Sequence, residues 1–180
     1  MAITLRAAKG SALTHSELDA NFTDLDTRTT AIETGAYATI YSSQNDAVTV
    51  STIGTTAKKL VGFSNNGPSN NLTPDSANDR MVILAKGDYW VDVSVSFGTV
   101  APGDSGLYEF HVRVNDVETV VEFHRNMSGT SDKGSSGCSG ILSMDVGDVV
   151  TLWVESDEAG DTDDISISNV ALNALMVRAT

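Results

Sequence analysis

The chain has 180 residues, room for one compact domain plus an appendage, and 41% of them are hydrophobic against 19% charged. A formal net charge of −13 excludes a phosphate-binding surface, because nucleic-acid binders concentrate Lys and Arg to displace counterions. Cys138 is the only cysteine, which excludes an intrachain disulfide and a thiolate metal cluster, so the fold must stand on packing.

Residues 1–12 (MAITLRAAKGSA) hold Arg6 and Lys9 and no acid, a charge of +2 that leaves −15 on the remainder. They are too short for a domain and read as an extended arm, a basic tail on an acidic body. The segment lacks the apolar centre of a secretion signal, and no apolar run approaches the roughly 20 residues of a membrane span. Synthesis in a cytoplasm without membrane insertion is the expectation.

A helix is predicted next. Thr14 as N-cap with Glu17 three residues later forms a capping box, and Leu13 and Leu18 stand where a hydrophobic staple requires them. Leu18, Phe22, Leu25, Thr29 and Ile32 then recur at alternating spacings of four and three, a heptad seam ending before Gly35. Such a helix is marginal alone, and its seam packs either on its own chain or on copies of itself. The narrowness of the seam and the change of period after Gly35 favour a parallel bundle. Its five core positions admit two strands or three.

Beyond Gly35 the period becomes that of strands, predicted at 38–42, 46–53, 58–64, 80–86, 88–99, 107–115, 117–124, 138–145, 148–156 and 164–178. In YWVDVSVSF, Tyr89, Val91, Val93, Val95 and Phe97 share one face, while Trp90, Asp92, Ser94 and Ser96 share the wetter one. Asn115-Asp116 and Gly147-Asp148 read as tight turns, and loops are expected at 64–79, 98–106, 128–137 and 157–164. About ten antiparallel strands with no helix between them imply a mainly β fold, an antiparallel jelly-roll sandwich behind a short helical stalk. The expected parts are an arm (1–12), a stalk (13–36) and a head (37–180).

Chemistry is sparse. Gly103-Asp104-Ser105-Gly106 has the order of a serine-protease nucleophile, but Leu107 stands where a second glycine belongs, and His15, in the helix cap, is the only upstream histidine. A turn explains it, and no catalytic residue is expected. His111 and His124 lie on strands joined by the Asn115-Asp116 turn and could bind a metal if their rings share a face, although their spacing is no standard signature. Asp157, Glu158, Asp161, Asp163 and Asp164 crowd one loop with carboxylate oxygens suited to calcium, the one cofactor considered, against the reading of a solvated acidic loop. Cys138 reads as a small strand residue, and Trp90, on the wetter face, as a contact for a receptor glycan or as packing.

The stretch from Ile3 to Phe22, above all KGSALTHSELDANF, resembles the N-terminal segment of bacteriophage tail-fibre and head-fibre proteins, with Lys9-Gly10-Ser11, Leu13-Thr14, Glu17-Leu18-Asp19 and Asn21-Phe22 agreeing in order and spacing. The resemblance implies that Ile3, Leu5, Arg6, Lys9 and Gly10 anchor a fibre to another virion protein of tail or capsid. Residues 80–178 resemble the tumour-necrosis-factor-like and complement-type head, a trimeric jelly roll, through Lys86-Gly87-Asp88-Tyr89 entering a strand that ends in Ser96-Phe97, through Phe110 to Asn115, through Val146-Gly147-Asp148-Val149 before Leu152 to Val154, and through a last apolar strand. This second resemblance implies three subunits about one axis, with Leu18, Phe22, Leu25, Thr29 and Ile32 at the stalk interface. A homotrimeric, non-enzymatic virion fibre is therefore expected, displaying its head loops to a host-surface glycan or protein. The alternatives are a purely structural capsid decoration and, third, a glycan depolymerase working through paired carboxylates.

Overall fold

The structure is a computed structural model, and it describes residues 12–33, 35–43, 48–101, 103–129, 132–157 and 163–180. Two units follow along the chain, Met1–Gly35 and Ala36–Thr180. In the first, α1 (His15–Glu33) begins as the capping box requires. Glu17 N–H donates to Thr14 Oγ1 at 3.2 Å, and Thr14 N–H donates back to Glu17 Oε2 at 2.8 Å, so two amides at the helix start find partners.

The second unit is a sandwich of two antiparallel sheets. Its strands are β1 (Tyr37–Ser42), β2 (Val48–Ile53), β3 (Lys58–Lys59), β4 (Asn65–Asn70), β5 (Leu72–Asp75), β6 (Arg80–Ile83), β7 (Gly87–Thr99), β8 (Ser105–Val114), β9 (Val117–Ser128), β10 (Lys133–Met144), β11 (Val149–Ser156) and β12 (Asp163–Ala179). Sheet A runs β10-β7-β12-β1-β4, with β2 also on β12; sheet B runs β5-β6-β11-β8-β9, with β3 also on β11. From β7 onward the chain alternates between the sheets except at the β8–β9 hairpin, as in a jelly roll.

Alternation in the sequence decides which side chains fill the space between the sheets. Tyr89, Val91, Val93, Val95 and Phe97 of β7 are all buried, and they meet Tyr108, Phe110 and Val112 of β8 and Val150, Leu152 and Val154 of β11. Phe110 is central: its ring lies 4.9 Å from Phe97 and stacks on Phe123 at 4.9 Å. Burying one such side chain stabilises the fold by about 1.5–3 kcal/mol. In β12 the inward set shifts from Ile165 and Ile167 to Val170, Leu172 and Ala174, and a bulge between Ile167 and Asn169 absorbs the change of phase.

Asn115 (φ 52°) and Asp116 (φ 64°) both adopt the left-handed region and close the β8–β9 hairpin. Three segments depart from the expectation. The polar stretch 64–79 contributes β4 and β5, β10 begins at Lys133 within the expected 128–137 loop, and the strand expected over 58–64 pairs only at Lys58–Lys59. The cause in β10 is close approach: a Cβ on Gly137 would lie 2.3 Å from the Val93 carbonyl, so glycine is what lets β10 reach β7 there.

Candidate self-association surface

The outward face of sheet A collects the exposed apolar side chains of four strands. Register places Ile141 of β10 beside Trp90 of β7, Trp90 beside Leu175 of β12, and Leu175 beside Tyr37 of β1. The four form a row across the sheet, and all are exposed, from 42% for Tyr37 to 62% for Ile141. Trp90 and Leu175 also line a shallow depression of about 390 Å³ with Asp92, Asn173 and Ala174.

The next rows are polar but compact: Ser139, Asp92, Asn173 and Thr39, then Gly137, Ser94, Ala171 and Tyr41. Asn173 donates from Nδ2 to Asp92 Oδ2 at 3.2 Å and accepts the Thr39 hydroxyl at 2.5 Å, so this row satisfies its own polar groups. An ion pair between Arg178 Nε and Asp88 Oδ2 at 3.1 Å borders the face at one end, and Lys133 borders it at the other. Between them, Asp92 is the single charged side chain on this face of β10, β7, β12 and β1. The outward face of sheet B is densely charged instead, with Glu109, Glu118, Glu122 and Glu155 beside Arg113 and Lys59. In a chain of net charge −13, the face of sheet A is thus low in charge, where electrostatic repulsion would oppose a like-charged copy little.

The residues expected to act fall as follows. Ile3, Leu5, Arg6, Lys9 and Gly10 lie outside the described residues, as do Glu158 and Asp161. Leu18, Phe22 and Leu25 are on α1 and exposed, and Thr29 and Ile32 belong to the same helix. Each remaining acid of the 157–164 loop accepts a hydrogen bond: Asp157 from Leu107 N–H at 2.8 Å, Asp164 from Thr52 N–H at 2.9 Å, and buried Asp163 from the Tyr108 and Ser156 hydroxyls. Trp90 stands on the outward face, 50% exposed, as its place in the alternation predicts. Its partners Ile141, Leu175 and Tyr37 were not singled out in the sequence, because only strand register brings them together. His111 and His124 do share a face, the outward one of sheet B, where Glu109 lies between them. Burial raises the Cys138 thiol to about 11, with Asp92 and Glu122 adding to the effect, which fits a packing residue rather than a nucleophile.

Comparison with solved structures places the architecture. The globular domain of the zebrafish complement 1qA protein superposes with a TM-score of 0.57 at 12% identity, covering 81% of this chain and 99% of that one. Eiger TNF from S. frugiperda gives 0.57 at 12% identity, with 81% and 94% covered. The head has the complement and tumour-necrosis-factor jelly-roll fold. Murine APRIL matches at a TM-score of 0.51 and 11% identity over 79% of this chain and 99% of that one. No family model matches the sequence, and neither does any curated protein.

Proposed function

We propose that the chain is a non-enzymatic bacteriophage virion protein, a homotrimeric fibre whose N-terminal arm holds another particle protein, whose helix is a three-stranded coiled coil, and whose head binds a glycan or protein on the host surface. The observation that carries this reading is the outward face of sheet A, with Asp92 its one charge and an apolar row from Ile141 to Tyr37. The occupant of that face is another copy of the chain. Three supports converge on it. The face is nearly free of charge while the chain as a whole is strongly acidic. The row starts at Tyr37, four residues after the last residue of α1, whose seam Leu18, Phe22 and Leu25 is likewise exposed. The resemblance of residues 3–22 to fibre attachment segments gives such an assembly a particle to stand on.

Sedimentation of the intact protein at micromolar concentration tests the assembly, with a species of three chains expected and a folded monomer overturning it. Adsorption tests the role. Particles whose fibres lack residues 36–180 are expected to adsorb poorly to their host, whereas unchanged adsorption would assign the chain to capsid decoration.

A further inference from the structure

The outward face of sheet B gathers acidic and histidine side chains that the proposed function does not use. Glu109 sits in mid-β8, paired in register with Glu155 of β11 and His124 of β9, and His111 two residues on is paired with Trp153 and Glu122. One ligand atom from each of Glu109, His111 and Glu155 lies within 4.8 Å of the other two. Glu109 Oε1 stands 3.9 Å from His111 Nδ1, and Glu109 Oε2 stands 3.6 Å from His124 Nδ1.

His111 departs from the strand pattern. Its place in the alternation points it outward, yet it is fully buried, and its Nδ1 has no hydrogen-bond partner among the described residues. Buried polar atoms are nearly always satisfied, so this one calls for a partner. Two carboxylates, Glu109 and Glu155, converge on it, and like charges this close repel each other. A cation among these three groups takes the nitrogen as a ligand in place of its proton and relieves the carboxylates together.

We propose that Glu109, His111 and Glu155 bind a divalent transition-metal ion of the zinc class, one per chain. The mixed donor set selects the class, because imidazole nitrogen suits zinc whereas calcium takes oxygen ligands alone. Three protein ligands leave a fourth position for water, and a depression of about 240 Å³ lined by Thr55, Leu107, Glu109, Glu155 and Asp157 opens beside them. In the metal-free chain Arg113 Nε donates to His111 Nε2 at 3.1 Å, which puts the ring proton on Nδ1. Metal binding at Nδ1 shifts the ring proton to Nε2, so none is gained or lost overall, and it breaks the Arg113 Nε–H bond to Nε2, leaving Arg113 its contact with Glu118 through Nη2 at 3.5 Å. The new Nε2–H faces Glu118 Oε2, now 3.9 Å away, a carboxylate placed to orient a metal-bound histidine.

The test is calorimetric titration of the tag-free, chelator-treated full-length protein with zinc chloride, with thermal melting in parallel. One zinc per chain and a melting temperature raised by excess zinc are expected. Glu109→Gln and Glu155→Gln keep the side-chain size and fold in case His111→Ala does not, and each should weaken binding at least tenfold. His124→Ala, outside the set, should change it less than threefold. Absence of both heat and melting shift in the wild type overturns the site, as does undiminished affinity in Glu109→Gln. A loss in His124→Ala equal to that in Glu109→Gln overturns this choice of ligands.

Discussion

The Tyr108 hydroxyl donates to Asp163 Oδ2 at 3.0 Å in the buried interior, tying β8 of sheet B to the first residue of β12 in sheet A. Ser156 Oγ, from β11, lies 3.3 Å from the same oxygen. Asp163→Ala strips two buried hydroxyls of that acceptor and should cost about 1–3 kcal/mol. For a domain of this size that is a fall of roughly 3–10 °C in melting temperature, read by calorimetry. Tyr108→Phe removes one donor and leaves Asp163 the Ser156 hydroxyl, so its loss should be the smaller of the two.

Leu175 sits mid-row on the outward face of sheet A, between Trp90 and Tyr37. Leu175→Asp places a carboxylate at the proposed contact while leaving the core untouched. The expected result is an assembly dissociating at least tenfold more readily, about 1.4 kcal/mol or more, with an unchanged circular dichroism spectrum. Concentration-dependent sedimentation of wild type and variant measures it.

The β8–β9 turn invites a stabilising change. Asp116 holds φ at 64°, a conformation glycine adopts without penalty, and Asn-Gly is a favoured pair for this turn. Asp116→Gly relieves a left-handed penalty of about 1 kcal/mol, partly offset by the greater freedom of glycine in the unfolded chain, and should raise stability slightly in denaturant titration. Asn115 behaves differently, because its side chain donates to Asp148 Oδ1 at 2.7 Å and accepts from Val149 N–H at 2.9 Å. Asn115→Gly should therefore destabilise, since it frees the backbone but cuts the tie to the β10–β11 turn.

The β9–β10 turn carries an acid-sensitive contact. The Ser128 backbone N–H donates to Asp132 Oδ2 at 2.9 Å, and this bond above all holds the Asp132 carboxyl below its ordinary value. With the folded-state value depressed, the unfolded chain binds more protons at low pH. The contribution to stability is present above the ordinary carboxylate value of 3.8 and is lost as pH falls through the lower, folded-state value. Asp132→Asn should thus melt below wild type at pH 7 and converge with it in strong acid, as melting curves across pH would record.

Much of this architecture was legible wherever a residue's neighbours in sequence decide its role. The inward set of β7, the Thr14–Glu17 cap and the Asn115-Asp116 turn depend on period or on contacts within a few residues. The rest depends on partners far along the chain. Asn65–Asn70 has no intrinsic strand character and becomes β4 through pairing with β1, and Lys133–Gly137 extends β10 because β7 offers a ladder as far as Gly98. His111 shows the limit most sharply: alternation marks it as exposed, but Trp153 and Arg113 lie over that position, with the Arg113 guanidinium 4.4 Å from the Trp153 ring. A signal was present in the sequence, for Glu109 and His111 two apart on one strand share a face, and only the register with Glu155 gives it meaning.

The strand that closes sheet A beyond β1 also limits how copies can grow onto one another. β4 is the polar run Asn-Asn-Gly-Pro-Ser-Asn, and Pro68 has no amide hydrogen to offer an incoming strand. A border of this kind resists lateral extension, the route by which β proteins crowded side by side turn into fibrils. In the proposed assembly, contact between copies is thereby left to the broad faces, where rotation about an axis uses up the available surface after a fixed number of subunits. At the β4 border, growth strand upon strand is disfavoured.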